Sequence, residues 1–136
     1  MGISVVVGDE GHPLGTPSFF KAFFSTVFVR LEGGSWGSLF PIVMRQLYAG
    51  GLDPDAALVA DSELQRISDG LRVLPPTDVV WDFENRTARP PWGDRLSPHV
   101  TSLANYFVTS EGSDLIELLR SAARQSAERR QPLRVT

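Results

Sequence analysis

The 136-residue chain has no cysteine. That absence removes disulfide bridges, thiolate zinc sites and a cysteine nucleophile together, and it fits a reducing compartment. Histidine is scarce. His12 and His99 both lie in proline-flanked loops, and neither has a second histidine three or four residues away, so no helical metal pair exists and no metal is expected. Long apolar runs are missing as well. The stretch Met1–Glu10 lacks the basic start and apolar length of a secretory signal, and no run approaches the roughly 20 residues that span a bilayer. The expectation is a soluble, cytoplasmic protein that does not engage a membrane. Phosphate contacts need clustered lysines and arginines, which the acidic part of the chain lacks, so nucleic acid is not expected as a partner. The glycine-rich stretches Gly8–Gly11 and Gly33–Gly37 lack the spacing and following lysine of a phosphate loop and the strand-to-helix pattern of a dinucleotide site. No cofactor is expected.

Hydrophobic residues make up 42% of the chain and charged residues 21%, which argues for a globular fold over disorder. The length suits one domain over residues 1–136, large enough to bury about two-thirds of its unfolded surface without metal or disulfide support. The net charge of −3 is uneven. Residues 1–85 hold 11 acids against 5 bases, a net of −6, and residues 86–136 hold 5 acids against 8 bases, a net of +3. The acidic part suits either a solvated surface or a basic protein partner.

Ile3–Val7 reads as a strand, followed by a loop over Gly11–Pro17 and a helix capped by Ser18. Phe19, Phe20, Phe23, Phe24, Val27, Phe28 and Leu31 recur at three and four residues, one wide core-facing stripe. After Glu32–Ser35, Ser38 caps a second helix with Pro41 in its first turn and Phe40, Val43, Met44, Leu47 and Tyr48 on its apolar face. Asp53-Pro54 opens a third helix with Ala57, Ala60, Leu64, Ile67 and Leu71 facing inward, which leaves Asp55, Asp61 and Glu63 for solvent. Beyond the break at Pro75-Pro76, Asp78–Glu84 reads as a strand. Its Val79, Trp81 and Phe83 share one face, and Asp78, Asp82 and Glu84 share the other with Val80. Ser97-Pro98 opens a short helix through Leu103, Tyr106–Thr109 reads as a strand, and Ser113 caps a last helix facing inward with Leu115, Leu118, Leu119 and Ala122. Arg120, Arg124, Arg129 and Arg130 lie toward its C-terminal end, where the helix dipole favours cations, and Pro132–Val135 reads as an edge strand. The fold class is α+β, a small mostly antiparallel sheet of about four strands with helices packed over it.

Few residues offer chemistry. Asp82 and Glu84 resemble a glycosidase acid pair, but the nearby aromatics fall on the opposite side of the strand. His99 lies near Asp94 in a loop, where closeness in sequence is cheap. Ser102, Ser110 and Ser113 have no nucleophile-elbow context. The chain reads as a protein that catalyses nothing.

Four stretches carry a resemblance in their order and spacing. They are Phe23-Phe24-Ser25-Thr26; Trp36 through Met44; Val80-Trp81-Asp82 followed by Pro90-Pro91-Trp92-Gly93-Asp94; and Asn105 through Leu115. Together they resemble the Immunity protein 70 family of bacterial polymorphic toxin systems, over about residue 3 to residue 130. The resemblance implies a cognate immunity protein that binds a toxin's C-terminal domain in the cytoplasm and blocks it by stoichiometric occlusion. It does not fix the toxin's activity, for which a nuclease is a candidate, and it carries over no contact residues.

Pro90-Pro91 lowers the entropy lost when its loop is held still. Trp92 is then either an anchor for the partner, with Asp94 and the Asp78, Asp82 and Glu84 face as its charged surround, or a lid folded back on the sheet. Two other functions stay open at this point. One is a small acid/base enzyme using the 82–99 region, with His99, Asp94 and Asp82 as its group. The other is an intracellular adaptor or oligomerisation domain.

Overall fold

Alternating apolar residues make Ile3–Val7 the first strand, β1, with Val5 and Val7 buried and Ser4 and Val6 only partly covered on the other face. The computed structural model describes residues 2–136. The chain turns at Gly8 into β2, Glu10–Gly15, antiparallel to β1 with Val5 opposite His12. The expected loop is therefore a strand. Pro13 is tolerated because β2 lies at the sheet edge. β3 is Gly51–Leu52 and β4 is Leu133–Val135, and the antiparallel sheet runs β2-β1-β4-β3. The C-terminal strand expected at an edge thus sits inside the sheet. A Cβ at Gly51 would lie 2.8 Å from the Leu133 carbonyl oxygen, so glycine permits the close β3–β4 approach.

Helix α1 spans Pro17–Thr26. Its N-cap is Thr16, whose Oγ1 accepts the Phe19 N–H at 3.1 Å, with Pro17 at the first helical position; the expected cap was Ser18. The helix runs on into a wider π-helical turn, Val27–Leu31. Phe19, Phe20, Phe23, Phe24 and Val27 are buried, as their spacing predicts. A second π-helical turn, Val43–Leu47, follows residues 41–42 and buries Val43, Met44 and Leu47.

That second helical piece starts without a local cap from Ser38. Carboxylates from elsewhere in the chain take the free N–H groups of this piece and of the turn that leads into it instead. Glu63 accepts from Val43 at 2.8 Å and Ile42 at 3.3 Å. Glu32 accepts from Gly37, Leu39 and Phe40 at 3.0–3.1 Å. Glu63, expected in solvent, is 2% exposed because the positive end of a helix compensates its burial.

Helix α2, Pro54–Leu71, follows Asp53 and buries the five apolar residues expected of it. Helix α3, Leu115–Arg129, is capped by Asp114 rather than Ser113: Oδ1 accepts the Glu117 N–H at 3.2 Å. Helix α2 packs along α3, and α3 lies against β1 and β4. Asp61, also expected in solvent, sits in the α2–α3 seam and pairs with Arg120 at 2.7 Å and Arg124 at 3.3 Å. Arg129 reaches Glu10, and Arg130 reaches Asp55. No helix among the described residues is long and apolar enough to cross a membrane.

Residues 79–114 contain no helix or ladder strand; one isolated bridge joins Val108 to Asp114. The strands expected at 78–84 and 106–109 and the helix expected at 97–103 do not form. Residues 78–83 lie along the polar edge of α1 and its π-helical extension, whose side chains satisfy their backbone groups. Arg30 Nε donates to the Asp78 carbonyl at 2.8 Å. Thr26 Oγ1 accepts from Val80 N–H at 3.1 Å, and Ser25 Oγ accepts from Phe83 N–H at 3.0 Å. A strand partner is unnecessary once a helix supplies donors and acceptors. The face is also reassigned: Val80 is buried, whereas Val79, Trp81 and Phe83 are only half-buried.

Candidate functional site

The stretches that carry Trp81, Trp92 and Tyr106-Phe107 lie apart in sequence and meet in one aromatic column. It starts in the core, where Phe23 meets Phe107 edge-on at 5.4 Å. Phe107 meets Tyr106 at 5.0 Å, Tyr106 meets Trp92 at 6.2 Å, and Trp92 meets Trp81 edge-on at 5.3 Å. Each contact falls in the range where aromatic pairs attract through their quadrupoles. Trp92 Nε1 also donates to the Tyr106 hydroxyl at 3.0 Å. The indole is thereby docked on the body of the protein, and 37% of Trp92 stays exposed.

Trp92 rides on an arm, residues 85–99, folded into successive turns. Gly93 N–H bonds to the Pro90 carbonyl at 2.9 Å, and Arg95 N–H to the Trp92 carbonyl at 3.1 Å. Gly93 has φ +61°, a conformation glycine adopts at no steric cost. Between the arm and residues 76–79 runs a groove of about 520 Å³, with Val79, Ala88, Pro90 and Leu96 in its walls and Arg89 and Asp94 among its polar groups.

The acidic residues named from the sequence are not a bare acidic face. Asp78 is half-buried, and its carbonyl is held by Arg30. Asp82 and Glu84 both bind Lys21, the only lysine of the chain, at 3.1 Å in the case of Asp82. The Glu84 bond, then the Asp82 bond, raise the Lys21 ammonium above its ordinary pKa. The Glu84 N–H bonded to Asp82 Oδ1 at 2.8 Å, helped by Lys21, holds the Asp82 carboxyl below the usual range. Asp94 is exposed beside the groove.

His99 is exposed, and its ring forms no ion pair with Asp94 or Asp82; its hydrogen bonds run through its backbone, to Ser97 Oγ and from the Asn105 side chain. No direct ion pair or side-chain hydrogen bond joins His99, Asp94 and Asp82, the three members of the acid/base group read from the sequence. Among the described residues no cluster of His, Asp and Glu could hold a metal ion.

Sequence reasoning passed over Lys21, Tyr106 and three exposed arginines of the arm, Arg86, Arg89 and Arg95. A single cation within an aromatic stripe was the available signal for Lys21. Tyr106 gives the column a titratable reporter. Burial pushes its hydroxyl above the ordinary value of 10.0 and the Asp94 charge adds to the rise, while the Trp92 bond opposes both. The neutral phenol is the form the fold favours. Its contribution to stability is whole below the unfolded value and is lost as pH rises through the higher folded value. In an ultraviolet titration, one of the two tyrosines is expected to ionise late, with Tyr106→Phe abolishing that late step. Ionisation of Tyr106 at or below the ordinary value would contradict the column as described.

No curated protein and no solved structure matches the chain. A family model, Immunity protein 70, matches residues 5–135, nearly the whole length, and takes in α1, the arm and the aromatic column together. The chain belongs to the Immunity protein 70 family.

Proposed function

We propose that this chain is a cognate immunity protein that binds and neutralises a bacterial toxin domain by stoichiometric occlusion in the cytoplasm, with no turnover of its own. Family membership carries the reading. The arm supports it. A stable inhibitory interface takes about 800 Å² from each partner and concentrates its energy in a few aromatic or arginine anchors. The exposed part of Trp92 is such an anchor, and its clamp on Trp81 and Tyr106 means little rotamer entropy remains to be lost on binding. We place Trp92 and Asp94 within the contact face and Asp78, Asp82 and Glu84 along its rim. The partner is a toxin's C-terminal domain, with a nuclease as a candidate.

The test is co-expression with the C-terminal domain of the protein encoded immediately upstream. That domain alone should arrest growth. The chain should restore growth and co-elute with it in a one-to-one complex. Failure of abundant, folded chain to restore growth or to co-elute would remove this function.

A further inference from the structure

We propose that the 85–99 arm docks an acidic segment of the partner, a claim that rests on the inhibitory reading above and specifies its chemistry. The use of cations across the fold points there. Eight of the twelve arginines and the single lysine are engaged by carboxylates, by backbone carbonyls or, for Arg66, by the Phe40 ring. Four arginines have no such partner among the described residues, and three of these, Arg86, Arg89 and Arg95, fall in the arm; the fourth is Arg134. The arm has one acid, Asp94, against those three cations, a net of +2 with His99 neutral on a chain of net −3. The neighbouring carboxylates of Asp82 and Glu84 are already committed to Lys21.

The groove adds shape to the charge. Its apolar walls, Val79, Ala88, Pro90 and Leu96, suit an aliphatic or aromatic side chain, and Arg89 stands beside them for a flanking carboxylate. A guanidinium forms paired, directional bonds with a carboxylate, so these arginines recognise Asp or Glu side chains specifically. The turn bonds at Pro90–Gly93 and Trp92–Arg95 and the Trp92 clamp fix the backbone from which Arg89 and Arg95 project. Only side chains remain to be ordered on binding. A nucleic-acid backbone is the poorer fit, since three cations interrupted by Asp94 neutralise few phosphates.

The experiment measures Kd by biolayer interferometry for the C-terminal domain of the upstream-encoded protein, with wild type and four variants. Wild-type affinity is expected to fall as sodium chloride is raised to about 0.3 M. R86E/R89E/R95E is expected to weaken binding by about 100-fold and R89E alone by about tenfold. R134E, which changes net charge away from the arm, is expected to stay within about threefold, and D78N/D82N/E84Q, at the rim of the contact face, is expected to weaken binding by less than about tenfold. All four variants change partly or fully exposed groups, and thermal melting checks that each remains folded. If wild type binds and R86E/R89E/R95E binds as well, the acidic-segment proposal falls while the immunity reading stands. If D78N/D82N/E84Q abolishes binding instead, the partner surface is basic and the proposal is overturned. Tighter binding to a single-stranded RNA oligonucleotide than to the protein domain overturns it too. If wild type fails to bind the domain, both readings fall.

Discussion

Glu63→Ala is expected to lower the unfolding free energy by about 3 kcal/mol, one of the largest losses available to a single polar substitution in this fold. The Glu63 carboxylate is 2% exposed and takes the Val43 and Ile42 N–H groups at the start of the second helical piece. Alanine strands both donors, and a buried donor without a partner costs about 1–3 kcal/mol. It also removes a negative charge from a helix N-terminus, worth up to about 2 kcal/mol in a partly buried site. Relief of the carboxylate's own burial offsets part of the sum. Glu63→Gln keeps one acceptor but turns an amide N–H₂ toward the other donor, so it is expected to cost about half as much. Urea unfolding should show a lower midpoint at unchanged slope. A loss under about 1 kcal/mol for alanine would mean that water replaces the carboxylate and that the remote cap is not what holds residues 41–47.

Phe23→Ala is expected to cost about 3–5 kcal/mol, since a fully buried ring leaves both a lost transfer energy and a cavity. Phe23 sits at the foot of the aromatic column, edge-on to Phe24 at 5.2 Å and to Phe107 at 5.4 Å. Its loss removes one of the two phenylalanine rings packed on Phe107, the other being Phe19, and Phe107 in turn supports Tyr106 and Trp92. The substitution should therefore shift tryptophan emission as well as stability. Phe23→Leu is expected to keep most of the stability and most of the emission. Alanine stability within about 1 kcal/mol of wild type would show that the site collapses and that the column does not depend on its foot.

The sequence made the helical faces legible because periodicity is local. The phenylalanines of α1 and the Ala57–Leu71 face of α2 repeat at helical spacing, and they are buried as that spacing requires. The sheet was legible as a class and less so in its members. Pro13 hid an edge strand, and Leu133–Val135 carries no local mark of being central. Residues 78–84 alternate as a strand does, but their backbone partners are the hydroxyls of Ser25 and Thr26 and the Arg30 guanidinium on another helix. Nothing in the segment itself tells a helix edge from a strand edge. Glu63 misled for the same reason: its polarity suggested water, and the donors it serves lie twenty residues away.

The candidate site was half legible. Pro90-Pro91-Trp92 announced a stiff aromatic loop, but only three dimensions show that the indole is clamped to Trp81 and Tyr106. The charge around it was misjudged. Counting residues 86–136 together pooled the arm's arginines with those of α3, and the α3 arginines are engaged while the arm's are not.

The position of β4 has a consequence for synthesis. Leu133–Val135 bridges two strands that do not pair with each other, β1 at residues 3–7 and β3 at 51–52. A nascent chain can form the β1–β2 hairpin early, but one flank of that hairpin must wait, bare, until Leu133–Val135 clears the ribosome. Any translation product that stops short of Leu133 lacks the keystone of its sheet.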